Sequence, residues 1–348
     1  MAGTLIAMKA LILALLTPFS APIETRPDFS GVALSLSDGV VVETVATEPA
    51  MAEADWRWAS ISKLVLAVAM LQAVDDGLIG LDDPVSLHLN GVDRPGLTVR
   101  DLLRHTSGLP NPTALARGEL TPGYDPKSYC FTAPIAVPGG DFSYNNCDFV
   151  VAAKLLEVVR GTPYARILQS GVFDPAGMAH TRIGVGADNG DYDGLLVGGA
   201  PAPDIDLALW GAAGDLVGPP RDLARFAAAL MDGTLLSGDQ LALLQRGEPR
   251  LGYVSLGSWG FSAPLDGCDG APALVERRGN IIGVQARLLL APDMARAVII
   301  FSDRQATRFG EVWTGRGLTY ELASSAFCGD EAAEPRALSD TPASEAGN

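Results

Sequence analysis

Histidine is scarce in this chain. Three occur in 348 residues, His88, His105 and His180, and no G-x-S-x-G turn is present, so a histidine-activated serine has little to stand on. Basic residues are also few. Twenty-five Lys and Arg face 41 Asp and Glu, a net charge of -16, which repels nucleic acid and anionic lipid surfaces. Four cysteines, Cys130, Cys147, Cys268 and Cys328, include no C-x-x-C pair and no metal-type spacing, which argues against a zinc site or a redox dithiol. No apolar run reaches the roughly 20 residues of a membrane-spanning helix, so no stable membrane anchor is expected. There is no internal repeat. What the chain does have is apolar bulk, 48% of its residues against 19% charged, enough for a sizeable globular core.

The segment MAGTLIAMKALILALLTPFSAPIE places Lys9 before a short apolar stretch and then small residues and prolines, the layout of a secretory signal. Residues 1–21 are expected to be that signal, with cleavage near Ser20 or Ala21. An N-terminal helix of the fold is the other reading. Export implies a periplasmic or secreted protein, and an oxidising compartment favours disulfide pairing. Four cysteines allow three pairings; Cys130 with Cys147 closes the shortest loop, and buried free thiols remain an alternative.

GVALSLSDGVVVETVATE alternates around an Asp-Gly turn and predicts a β-hairpin. Ser60 to Asp76 predicts a helix stopped by Gly77, and its eight unbroken apolar residues from Leu64 to Leu71 mark it as central. From about residue 85 to 245 helical spacing with glycine stops prevails, and after Tyr253 short β-rich runs form an antiparallel meander followed by a last helix. The expected fold class is α+β, an α/β sandwich. An antiparallel sheet built from both chain ends is flanked by helices, with a mostly helical domain inserted between them. The main folded unit is expected to span residues 22–328, and the polar, Pro/Ala-rich tail 329–348 is expected to be disordered.

Three short constellations could carry chemistry. In Ser60-Ile61-Ser62-Lys63 the first serine and the lysine are three apart, which on a helix puts them on one face, whereas Ser62 points about 100° away. The first helical turn favours an oxyanion and lowers the lysine pKa, so Lys63 could serve as base for Ser60. The plainer reading makes Ser60 a helix cap and Lys63 a snorkelling side chain. Tyr144 and Asn146, two apart, could offer a phenol and an amide to one ligand, or belong to a surface turn. Arg277 and Arg278 on a strand ahead of Gly279 suit a carboxylate-bearing substrate, or form an exposed basic edge.

WASISKLVLAVAMLQAVDDGLIGLDDPV, LTVRDLLRHTSGLP, FSYNNCDFVVAAKLLEVVRG, FDPAGMAHTRIG, AAGDLVGPPRDLARFAAAL and VERRGN occur in that order. Together they resemble the serine β-lactamase and penicillin-binding-protein superfamily, specifically its class C-like branch with D,D-peptidases and family VIII-type esterases. The resemblance runs from about Gly31 to Phe327. It implies that Ser60 is the acylated nucleophile, Lys63 its proton partner, Tyr144 a proton-moving phenol and Asn146 a substrate amide contact. Arg277, Arg278 and Gly279 take the place of the family's Lys-Thr-Gly or His-Thr-Gly, and the N–H groups of Asn280 and Ser60 form the oxyanion hole. An arginine there stays charged and grips a carboxylate through a planar fork, but cannot shuttle protons. The implied protein is an exported serine hydrolase that needs no cofactor and takes a small-molecule or peptide substrate: an ester, a D-amino-acid amide or peptide, or a β-lactam. A non-catalytic binder of cell-wall peptides or carboxylate ligands on the same fold is the rival.

Overall fold

The computed structural model describes residues 18–89, 95–112, 126–132, 137–186 and 190–329. Most of the expected signal and nearly all of the expected tail lie outside these residues. Two antiparallel strands, β1 (Gly31–Ser37) and β2 (Val40–Ala46), are joined through Asp38 and Gly39. Both turn residues have positive φ, 50° and 77°, the requirement of the two-residue hairpin turn whose twist matches the strands. Three short strands follow: β3 (Trp56–Arg57), β4 (Arg182–Ile183) and β5 (Leu216–Gly218), in the order β3-β5-β4. Four more close the main sheet: β6 (Trp259–Ser262), β7 (Ala273–Ile281), β8 (Val284–Ala291) and β9 (Arg296–Ser302). Its order is β2-β1-β9-β8-β7-β6, antiparallel throughout, so both chain ends build one sheet as the sequence pattern predicts.

Both faces of that sheet are covered, which explains apolar runs such as LLLA and AVII in an antiparallel fold. Leu34, Leu288 and Ile299 point into the larger core with the central helices. Their neighbours Ala33, Leu289 and Ile300 point into a second core. Helix α1 (Ala21–Glu24) and the last helix, Leu318–Cys328, cover that second face, where Phe19 and Ile23 are buried. Period-two alternation therefore assigns every β7 residue to a face. Val275 and Ile281 belong to the first core and Leu274 to the second, so Arg277 and Gly279 face the central helices, and Glu276, Arg278 and Asn280 face away.

Helix α2 (Ser62–Asp75) lies in the first core, and every residue from Ser62 to Leu71 is buried. The expected start at Ser60 is corrected: a 3-10 turn, Ala59–Ile61, precedes α2. Ser60 is not a cap, since neither helical segment has a side-chain cap bond at its start. Helix α3 (Val99–Arg104) opens with a capping box between Thr98 and Asp101. Then come α4 (Pro126–Thr132) and α5 (Cys147–Arg160), tied by the Cys130–Cys147 disulfide. Cys268 pairs with Cys328. Among the described residues no helix is long and apolar enough to cross a membrane.

Candidate active site

Ser60 sits where the 3-10 turn meets β7. Ala59 before it has a left-handed φ of 48°, a conformation that costs a non-glycine residue about 1–3 kcal/mol and persists only when its surroundings enforce it. Gly279 is part of that enforcement. A Cβ there would stand 2.5 Å from the Trp58 carbonyl oxygen and 3.3 Å from Ala59 Cβ, so only glycine lets the strand approach this closely.

Two polar groups meet the Ser60 hydroxyl. Tyr144 Oη lies 2.7 Å from Ser60 Oγ, and Lys63 Nζ lies 3.1 Å from it. Lys63 is fully buried and also donates to Asn146 Oδ1 at 2.9 Å and to the Ala213 carbonyl at 2.6 Å. Those two partners only accept, so they take two N–H groups and leave the third position of the nitrogen toward Ser60, as a proton or as a lone pair. Ser62 acts elsewhere. Its Oγ accepts from Leu216 N–H at 3.1 Å and ties the start of α2 to β5.

The charges of this cluster tune one another. Burial lowers Lys63 to about 8, with the nearby Arg277 cation acting in the same direction. Burial pushes the Tyr144 phenol up, but the Lys63 and Arg277 cations outweigh it and bring it down to about 8. Lysine and tyrosine thus compete for protons in one pH range.

The two arginines separate. Arg277, 1% exposed, donates from Nε to the Ser60 carbonyl at 2.7 Å and from its second terminal nitrogen to Tyr144 Oη at 3.3 Å. Arg278 leaves β7 on the opposite face. It pairs with Glu276 at 2.9 Å and with both carboxylate oxygens of Glu311, and Arg287 meets Glu276 at 2.5 Å. The expectation of a two-arginine carboxylate clamp is therefore corrected: Arg278 is not brought to Ser60, because strand alternation splits adjacent side chains. The Asn280 side chain is exposed on that far face too.

Sequence reasoning missed a buried network behind Tyr144. Asp148 accepts from Ser107 Oγ and from Asn145 Nδ2 at 2.9 Å, and its Oδ2 lies 2.7 Å from His105 Nδ1. The His105 ring lies 4.6 Å from the Tyr144 ring and 5.3 Å from that of Phe149. Burial pushes Asp148 well above the ordinary carboxylate range and His105 well below its ordinary value, so both disfavour ionisation. HTSG and the Asn-Asn-Cys-Asp run carried the polar signal, but nothing in it paired them.

The Beta-lactamase family model matches residues 20–319. The chain is 32% identical over 187 residues to the putative penicillin-binding protein PbpX of Bacillus subtilis, covering 51% of this chain and 46% of that protein. It is 24% identical over 302 residues to the D-alanyl-D-alanine-carboxypeptidase/endopeptidase AmpH of Escherichia coli, covering 77% and 76%. The chain spans less than half the length of the Bacillus penicillin-binding relatives it matches. Among solved structures, the D-amino acid amidase of Ochrobactrum anthropi SV3, complexed with D-phenylalanine, superposes with a TM-score of 0.70 at 21% identity over 88% of this chain and 95% of that one.

Proposed function

Because the chain belongs to the Beta-lactamase family, we propose that it is an exported serine hydrolase that forms an acyl-enzyme at Ser60. The observation that carries this reading is the shared hydroxyl: Lys63 and Tyr144 both lie within hydrogen-bond reach of Ser60 Oγ, and both titrate at about 8. One proton less on that pair leaves a base facing the serine. Ser60 Oγ attacks the substrate carbonyl while its proton passes to the pair. The main-chain N–H groups of Ser60 and Asn280 receive the oxyanion. Tyr144 then returns a proton to the leaving group as the acyl–leaving-group bond breaks, and water attacks the Ser60 ester to release the acid. Asn146 holds Lys63 through Oδ1, which leaves its amide nitrogen for a substrate carbonyl.

Arg277 supplies charge without exchanging protons. Its guanidinium is held by the Ser60 carbonyl and Tyr144, so it sustains a low phenol pKa rather than gripping a substrate carboxylate. That favours esters and D-amino-acid amides or peptides ahead of β-lactams as substrates. The D-amino acid amidase name points the same way. Two disulfides support an oxidising compartment. The secretory signal, expected over residues 1–21, then ends before Phe19, which is buried in the second core, and the hydrolase unit runs from there to residue 328, with 329–348 as a tail.

The test is intact-mass detection of an adduct after exposure to p-nitrophenyl esters, D-alanyl amides and peptides, and β-lactams, with Ser60→Ala as control. An adduct that appears on the wild-type chain and not on Ser60→Ala is expected. No adduct with any compound, together with no turnover, would overturn the reading.

A further inference from the structure

Tyr144 is hemmed in by groups from three parts of the chain. Lys63 Nζ, from α2, lies 5.1 Å from its ring centre, and the Arg277 guanidinium, from β7, lies 5.7 Å from it. The His105 ring is closer, 4.6 Å between centres at an angle of 47°. His105 is buried and ends α3 in a left-handed conformation, φ 57°, which histidine adopts more readily than most side chains. Its carbonyl accepts from the Ser143 N–H at 2.9 Å, so the residue that meets the tyrosine ring also fixes the main chain one position before it. Asn145, one position after, donates from Nδ2 to the Ser143 carbonyl at 3.1 Å and to Asp148 at 2.9 Å. With the chain held on both sides, the freedom left to the phenol is rotation of its own side chain.

The imidazole bears on that remaining freedom. Its Nδ1 is taken by Asp148 at 2.7 Å, and its Nε2 has no hydrogen-bond partner among the described residues. The ring therefore offers Tyr144 no proton path. What it offers is a flat body for the phenol to rest against, backed by Phe149 at 5.3 Å and Phe142 at 5.9 Å between ring centres. Burial pushes His105 well below its ordinary value, so the ring is neutral and adds no third cation beside Lys63 and Arg277.

We propose that His105 is a positioning residue for acylation: its ring holds the Tyr144 side chain in the rotamer that keeps Oη 2.7 Å from Ser60 Oγ, between the Lys63 and Arg277 cations. The assignment rests on the hydrolase reading above, because it acts only through the phenol that moves protons there. Once the ring is cut back, the phenol swings into the freed space. Its path to the serine lengthens, and its distance from both cations grows.

The experiment separates the ring from the hydrogen bond. His105→Asn keeps an amide where Nδ1 meets Asp148, tolerates the left-handed φ, and removes the rest of the ring without removing charge. Single-turnover release of p-nitroaniline from D-alanine p-nitroanilide is expected to slow about ten- to hundredfold, while binding of that compound in a Ser60→Ala background stays within about twofold. The Tyr144 phenol, read as the tyrosinate absorbance lost on adding Tyr144→Phe, titrates at about 8 in the wild-type chain. In His105→Asn it is expected about one pH unit higher, because both cations that lower it are farther away. His105→Phe keeps a ring and loses the bond to Asp148, so it is expected to melt lower than wild type while its phenol still titrates near the wild-type value. A wild-type rate or an unmoved titration in His105→Asn would overturn the positioning role, and so would an equal loss of binding. An equal upward move in His105→Phe would also overturn it, because the bond to Asp148 and not the ring would then hold the phenol. If the wild-type chain is never acylated, the hydrolase reading falls and the tyrosinate titration decides: a higher value in His105→Asn keeps the hold on the phenol, and an unmoved one removes it.

Discussion

The side chain of Arg277 donates from Nε to the main-chain carbonyl of Ser60 at 2.7 Å, across 217 positions of sequence. One hydrogen bond thus ties the last third of the chain to the residue proposed as the nucleophile. The same guanidinium lowers the proton affinity of both Lys63 and Tyr144, so geometry and proton chemistry of the site share one residue.

The pH dependence follows from that coupling. Below about 8 both Lys63 and Tyr144 carry their protons, and no base faces Ser60. As pH rises through about 8 a proton leaves the pair, so kcat/KM should climb about tenfold per unit on the acid side and level off beyond. Arg277→Met removes a cation that lowers both groups, so the bend should move up by about one unit and the rate at pH 7 should fall about tenfold. A pH–rate profile identical to wild type would exclude this role for Arg277.

Gly279→Ala should damage both stability and catalysis. The new Cβ would stand 2.5 Å from the Trp58 carbonyl oxygen, so β7 or the Ser60 turn must move, at a cost of about 1–3 kcal/mol. Thermal melting together with acylation rate would check this. A melting temperature within a degree of wild type and full activity would show that the strand has room.

Asp148→Ala is expected to destabilise strongly. It leaves Ser107, Asn145 and His105 without their common partner in a fully buried place, and such losses cost about 3–5 kcal/mol. Denaturant titration gives the number. A midpoint unchanged from wild type would mean that water or a new pairing satisfies those groups.

Reduction of the disulfides should weaken the tyrosine side of the site. Cys130–Cys147 closes 17 positions, and a loop of that size is worth about 3 kcal/mol by restricting the unfolded chain. Cys147 opens α5 directly after Asn146. A Cys130→Ala/Cys147→Ala pair is therefore expected to melt several degrees lower and to lose acylation rate before global unfolding. A rate that falls only in step with the folded fraction would remove the local effect.

Local spacing was enough for the parts of this protein that depend on near neighbours. Ser60 and Lys63 are one helical turn apart, and that distance places them together whatever surrounds them. The hairpin at Asp38 and Gly39 and the strand periodicity of β7 to β9 are likewise visible as turn chemistry and alternation. Even the divergence of Arg277 and Arg278 is implicit in a period of two, but which of them turns inward depends on packing against the central helices, and no local rule contains that.

The remaining contacts bridge long stretches of chain: Ser60 to Tyr144 over 84 positions, Lys63 to the Ala213 carbonyl over 150, Arg277 to Ser60 over 217. The fold alone decided these, along with the tether from Ser62 to Leu216 and the Asp148 network. The physical reason is one of range. Backbone periodicity fixes neighbours within a few residues, whereas burial of both faces of a sheet brings together side chains whose sequence positions bear no regular relation to one another.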